Sequence, residues 1–354
     1  LLNTRQTAIS AAVSKQTNRL LVIAIPIVFC AASPPSIAHH SHAEFSEEII
    51  QVDGELTRIV WSNPHPAMTL KTLDANGEEQ IVRLQILGNV NGMNRDGVTS
   101  ELFHQGQQVK ITGQLSLRRE GLMLANFAEF EDGSRAALGP YTSAQGAIYG
   151  NSNSGDTAIP EDSAPSLFHV WTVESRTRNY EPPLRANSQA IKDSWDPIQD
   201  DVQANCSPLG MPGAMMSPHP IEFVDQGDSI LLRLEEWDAS RRIYMNDNQP
   251  ESLETSRMGI SYGQWDGSSL LVRTTDTNYP FLDEYGTPQS SSVEFLELFT
   301  LSNDAGWYLD WSVRVTDLET FSAPFELSTT RWQWLPGETL QPYECQDLES
   351  LFNG

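Results

Sequence analysis

Between residues 49 and 138 the apolar side chains fall in short alternating runs divided by turn residues. That period of two predicts strands over 49–61, with a bulge signal at Gly54, over 67–73 and over 79–87, the last two joined by the turn Asp74-Ala75-Asn76-Gly77. Residues 98–104 read as one or two helical turns, and 107–117 with 122–131 as a hairpin across Arg119-Glu120-Gly121. Three strands, a short helix and two strands is the element order of an OB-type barrel, with a generic small β-barrel as the alternative.

From 139 to 165 the chain is rich in Gly, Ser, Asn, Ala and Pro and has no apolar period, which predicts a linker about which the two halves reorient. Beyond it a strand is expected over 167–174, a weak helix over 186–196, and a loop holding Cys206 and Pro208-Leu209-Gly210-Met211-Pro212-Gly213. Strands then follow over 221–225, 229–237, 241–246, 258–265, 268–275, 293–302, 306–316 and 325–335, with Asp266-Gly267 as a hairpin signal. Consecutive strands with short turns predict an antiparallel up-and-down barrel. The fold class is all-β: an OB-like barrel over 39–138, the linker, and a larger barrel over 166–354.

The first 38 residues change the picture of where the chain works. They hold Arg5, Lys15 and Arg19 without an acid, then an apolar run over 20–32 too short to span a bilayer, then Pro34, Pro35 and Ser36-Ile37-Ala38. This is the order of a secretory signal cleaved before His39, so a periplasmic or secreted chain with no lasting membrane anchor is expected. Phe29 precedes Cys30, where a lipoprotein signal needs a small residue. Cleavage would move the formal charge from −25 to −28, a field that repels nucleic acid. The remaining cysteines, Cys206 and Cys345, are expected to form a disulfide in an oxidising compartment.

Two motifs carry a resemblance. His39-His40-Ser41-His42 followed by Val60-Trp61-Ser62-Asn63-Pro64-His65 resembles an uncharacterised domain of exported bacterial proteins, which begins Ala-His-His-Ser and carries Trp-Thr/Ser-Asn-Pro-His. The second half is similar to a companion region, through Gly210-Met211-Pro212, the stretch 241–245 and the hairpin 258–267. A fainter likeness is to calycin barrels, with His169-Val170-Trp171 standing where those have Gly-x-Trp. The resemblance implies a two-domain exported layout and no reaction.

Three clusters are candidates for chemistry. A chain beginning at His39 would offer an amine and an imidazole to copper or zinc, with His40, His42 and His65 as further ligands; the alternative is a solvated tail. On 229–237, alternation places Arg233, Glu235 and Trp237 on one face, near Arg242, Tyr244, Tyr262 and Trp265. That face either lines a cavity for a small ligand or carries paired surface charges. Gly259-Ile260-Ser261-Tyr262-Gly263 has the spacing of a nucleophile elbow but sits in an expected hairpin, where the glycines serve close packing. The leading expectation is a non-enzymatic protein that binds a small apolar or amphipathic ligand. Its rivals are a copper-binding or copper-dependent redox protein, and a hydrolase or isomerase working within the larger barrel.

Overall fold

The computed structural model describes residues 44–139, 166–196, 199–245, 254–302 and 307–346. The expected signal, His39, His40, His42 and nearly all of the expected linker lie outside the described residues.

Strands β1 (Ile50–Val60), β2 (Ala67–Leu73) and β3 (Glu79–Ile86) form a meander, followed by helix α1 (Val90–Arg95), β4 (Gln108–Leu115) and β5 (Leu122–Phe130). β1 pairs antiparallel with β2 and β4, and a parallel β3–β5 pairing closes the ring in the order β1-β2-β3-β5-β4. This is the OB arrangement; a short β6 (Arg135–Ala137) adds to β5. The period of two becomes burial, as Leu56, Met68, Leu70, Leu84, Ile86, Ile111 and Met123 meet inside. The helix, however, lies before the expected 98–104, which holds only a 3-10 turn at Ser100–Leu102. Asn89 starts it by accepting the Gly92 N–H at 2.7 Å, a cap that outweighs the helix-poor Asn and Gly of the segment.

The second barrel runs through β7 (Val170–Arg178), β8 (Ile221–Asp225), β9 (Ser229–Leu234), β10 (Ser240–Met245), β11 (Ile260–Asp266), β12 (Ser269–Thr275), β13 (Glu294–Ser302), β14 (Tyr308–Thr316) and β15 (Phe325–Trp334). Each pairs with the next and β15 returns to β7. Strand direction alternates in a meander, so a ring of nine needs at least one parallel seam, and it falls between β10 and β11. The wholly antiparallel expectation is corrected at that seam alone. α2 (Ala186–Ser194) lies on the outside, with only Ser188 buried.

Aromatic side chains fill this barrel: Trp171, Trp311, Trp332, Phe223, Phe295 and Phe299 are all fully buried. Met211, Ala214, Met215 and Met216 of the loop before β8 join the same core. Amid this filling Arg241 forms a bidentate pair with Glu297 at 2.7 and 2.8 Å, and the Trp311 indole N–H donates to the same carboxylate at 3.0 Å.

The two barrels are docked, contrary to the expectation that they reorient. A strap formed by residues 339–346 runs between them, and its Cys345 is bridged to Cys206 with Cα atoms 5.9 Å apart, as the cysteine count predicts. On the first barrel the strap meets Asn63, whose N–H donates to the Glu344 carbonyl at 3.0 Å and whose carbonyl accepts the Gln346 N–H at 2.8 Å. Linker composition reports on the covalent connection, whereas the docking is made by a segment at the far end of the chain. Among the described residues no helix is long and apolar enough to cross a membrane.

Candidate ligand-binding cleft between the barrels

The motif Trp61-Ser62-Asn63-Pro64-His65 leaves β1 and turns toward α1 and the strap. Asn63 is the node of the turn. Its side-chain oxygen accepts the Val90 N–H at 2.9 Å, and its amide donates to Asn91 Oδ1 at 3.1 Å. Asn91 in turn donates to the carbonyls of Gln341 and Pro342 at 3.4 and 3.2 Å. Both asparagines are buried, so this relay of amides satisfies groups that would otherwise be costly, and it ties motif, helix and strap together. One turn of α1 beyond Asn91, Asn94 accepts the Trp61 indole N–H at 3.2 Å, while the ring stacks on Phe103 at 5.5 Å.

A cleft of about 410 Å³ opens over this frame, walled by Trp61, Ser62, Asn94 and Arg95 on one side and by Gln341, Pro342 and Glu344 of the strap on the other. Several of its polar atoms are unspent. Ser62 Oγ and Arg95 Nε are buried without a hydrogen-bond partner. Among the described residues the Asn94 amide N–H groups meet no acceptor and Gln341 Oε1 meets no donor.

The rear of the cleft is an ion pair that crosses from one barrel to the other. Arg95 of α1 makes a bidentate contact with Glu235, at 2.8 Å from Nη1 to Oε1 and through a short Nη2 contact to Oε2. The Gln341 N–H adds a third bond to Glu235 at 2.8 Å. Burial pushes the Glu235 carboxyl up, but Arg95, the nearby His219 and the Gln341 N–H hold it down at about 2. His219 Nδ1 lies 3.8 Å from Glu235 and packs edge-on to Tyr343 of the strap, which also meets Trp237 at 4.9 Å. Burial, together with Glu236 and Glu235, pushes the Tyr343 phenol up. Trp237 and Asp238 both adopt left-handed backbone (φ 63° and 49°), which non-glycine residues take only under constraint; here Asp238 turns to receive the Tyr343 N–H.

The structure divides the sequence-predicted ligand set. β9 ends at Leu234, so Glu235 and Trp237 leave the strand for the junction and no longer share a face with Arg233. Ile230, Leu232 and Leu234 are the inward set, because the apolar members of the alternation take the core. Arg233 points out and pairs with Glu222 at 2.6 Å, half of its side chain exposed. Arg242, exposed, contacts Gln226 and Ser229. Tyr244 and Tyr262 stand side by side, half-buried, with rings 6.2 Å apart, and Trp265 is exposed near the β11–β12 turn. Ser261 is buried against Thr274 at 2.9 Å. A Cβ on flanking Gly259 would come within 2.6 Å of the Thr275 carbonyl, and one on Gly263 within 2.7 Å of Ile243, so these glycines serve packing.

His65 is half-buried in the β1–β2 turn, while His39, His40 and His42 lie outside the described residues. Among the described residues no group of three or more His, Cys, Asp or Glu could hold a metal ion. Asn91, Arg95, His219, Gln341 and Tyr343 escaped the sequence reading. Asn91 and Asn94 stand three apart, the spacing of one helix face, and that signal was legible once Asn89 was recognised as a cap. The pairing of Arg95 with Glu235 spans 140 residues and has no local signature.

No curated protein matches this chain. Residues 27–123, from before the first barrel to the start of β5, are similar to a family of unknown function (DUF6152), a stretch that holds one wall of the cleft and none of the second barrel.

Proposed function

We propose that the chain is an exported, non-enzymatic binding protein that seats a small amphipathic ligand in the cleft between its barrels. The observation that carries this reading is a cleft of about 410 Å³ that sets the Asn94 amide N–H groups and Gln341 Oε1, unpaired among the described residues, beside the Trp61 ring, over buried amides that are all satisfied. The aromatic filling of the second barrel argues for the cleft over the barrel interior as the seat. The disulfide accords with export to an oxidising periplasm or medium. The test is a ligand-observed NMR screen of hexoses, amino acids, dicarboxylates, polyamines and short fatty acids. Compounds that bind the wild type should lose their signal with Asn94→Trp, an exposed position whose enlargement fills the cleft, and keep it with Glu101→Gln. A screen without binders, or binders indifferent to Asn94→Trp, overturns the reading.

A second reading, copper or zinc held by His39, His40 and His42 with His65, has one observation in its favour. Phe45 packs with Leu87, and the neighbouring Ile86 N–H bonds the carbonyl of Pro66, next to His65. Phe45 is therefore placed near the turn that holds His65. His42 precedes Phe45 by three Cα-to-Cα steps, a reach of at most about 11 Å. A chain beginning at His39 should bind Cu(II) at least tenfold more tightly than one retaining Ala38, and His65→Ala should abolish the difference. Equal affinities in all three forms would mean adventitious binding.

A further inference from the structure

We infer that the cleft takes a neutral polyhydroxylated ring, a mono- or disaccharide; the inference rests on the binding reading above and names its ligand class. Charge narrows the field first. The cation in the wall, Arg95, is committed to Glu235 through both Nη atoms, and its buried Nε, without a hydrogen-bond partner, lies 3.8 Å from the Glu338 carboxylate. An anion would meet the Glu344 carboxylate in the lining and a chain whose formal net charge is −25, and among the described lining residues the one cation is Arg95, already neutralised by Glu235. A metal or ammonium ion would find Glu344 as the single carboxylate among the lining residues, exposed to water, and the buried Glu235 behind it already neutralised. A fatty chain fails for the opposite reason, since it would cover the Asn94 amide and Gln341 Oε1 without bonding either.

The unspent groups are mixed in kind. Asn94 offers donors, and Gln341 Oε1 and Glu344 offer acceptors. A hydroxyl also gives and takes, so a ring carrying several satisfies such a set without bringing charge. Apolar surface stands beside these groups: the half-buried Trp61 indole, held in place by Phe103 and Asn94, and the exposed Pro342 ring. A pyranose presents C–H groups on one face and hydroxyls at its rim, matching an aromatic platform edged by amides. The volume, about 410 Å³, falls at the lower end of the roughly 300–1,000 Å³ of small-molecule sites and suits one or two rings.

The experiment uses the disulfide-bonded protein and saturation-transfer NMR, followed by calorimetry. The probes are methyl α-glucopyranoside, methyl β-galactopyranoside, maltose and cellobiose, with succinate, spermidine and octanoate as comparators. At least one saccharide should bind, with Kd on the order of 1 mM or tighter. Asn94→Leu, at an exposed helix position, should weaken it about five- to tenfold, the worth of one hydrogen bond. Trp61→Phe, which keeps an aromatic ring against Phe103, should weaken it about threefold. Saccharide binding unchanged in both variants overturns the inference. So does binding of a comparator, lost with Asn94→Trp, when no saccharide binds; that result leaves the cleft as a seat and refutes only the ligand class. If neither these probes nor the wider screen binds, the seat itself falls and the inference with it.

Discussion

Among the described residues, two arginine pairs hold a fully buried carboxylate, and they share a geometry but little else. Arg241 and Glu297 lie on β10 and β13 of one barrel, their side chains 1% and 0% exposed, with Thr274 and Trp311 bonding the same carboxylate. Arg95 and Glu235 come from different barrels, and the third bond to the carboxylate comes from the strap. Glu235 is as buried as Glu297, but Arg95 keeps 16% of its side chain exposed, toward the cleft. A buried pair adds little net stability, because desolvation offsets most of the attraction, yet breaking it strands a charge. The first pair therefore specifies which strands may close around it. The second specifies how two finished barrels meet.

The largest expected effect comes from breaking the interior pair. Glu297→Leu leaves the Arg241 guanidinium in an aromatic core and should cost about 3–5 kcal/mol. It would appear as a lowered denaturation midpoint and as loss of near-ultraviolet signal from Trp311 and Trp332. Adding Arg241→Met should restore most of the loss, since an apolar pair of similar volume strands no charge. A single variant costing under about 1 kcal/mol would show that water reaches this site, and the contrast with the junction would collapse.

Acid should act on the junction pair next. Glu235 has a reference value of 4.5 and is held at about 2 in the folded chain, where burial, which raises it, is outweighed by Arg95, His219 and the Gln341 N–H. Between those values the unfolded chain binds a proton that the folded chain refuses. The stabilisation is complete above about pH 4.5 and is lost as the pH falls through about 2, a difference of about 3 kcal/mol. Asp283 and Asp201 have the opposite sign: burial raises both, so their contribution is present at low pH and lost as the pH rises through their folded values. Glu235→Gln should flatten the acid limb of the stability curve. An unchanged limb would assign it to other carboxylates.

The same contrast governs what could be read in advance. Strand positions were legible because each strand carries its own apolar period, and so was the pairing of Cys206 with Cys345, because only two cysteines follow residue 38. The parallel seam at β10–β11 follows from an odd strand count, and it becomes visible only when all nine strands are counted as one ring. Glu235 and Trp237 were singled out for function, but on the wrong scaffold: Leu234-Glu235-Glu236-Trp237 continues the alternation of β9 in letters while the backbone turns away to meet the strap. That turn is set by Asp238 and Tyr343, 105 residues apart. Local periodicity cannot report a constraint of that range.

The smallest expected effect sharpens the contrast most. Asn91 bonds Asn63 on one side and the carbonyls of Gln341 and Pro342 on the other, so it connects the motif to the strap without lying in the barrel core. Asn91→Ala removes these bonds from a buried site and leaves both strap carbonyls free to find water, at a cost of about 1–2 kcal/mol. If the motif is a docking device, the loss is local. Amide hydrogen exchange should rise in residues 339–346 and at Val90, while β12 to β14, which surround the Arg241–Glu297 pair, exchange as before. Near-ultraviolet signal from Trp311 and Trp332 should likewise be unchanged, since neither ring touches the junction. Faster exchange spread evenly over both barrels would mean that the junction and the barrel interior form one cooperative unit, and that the two ion pairs differ in position only.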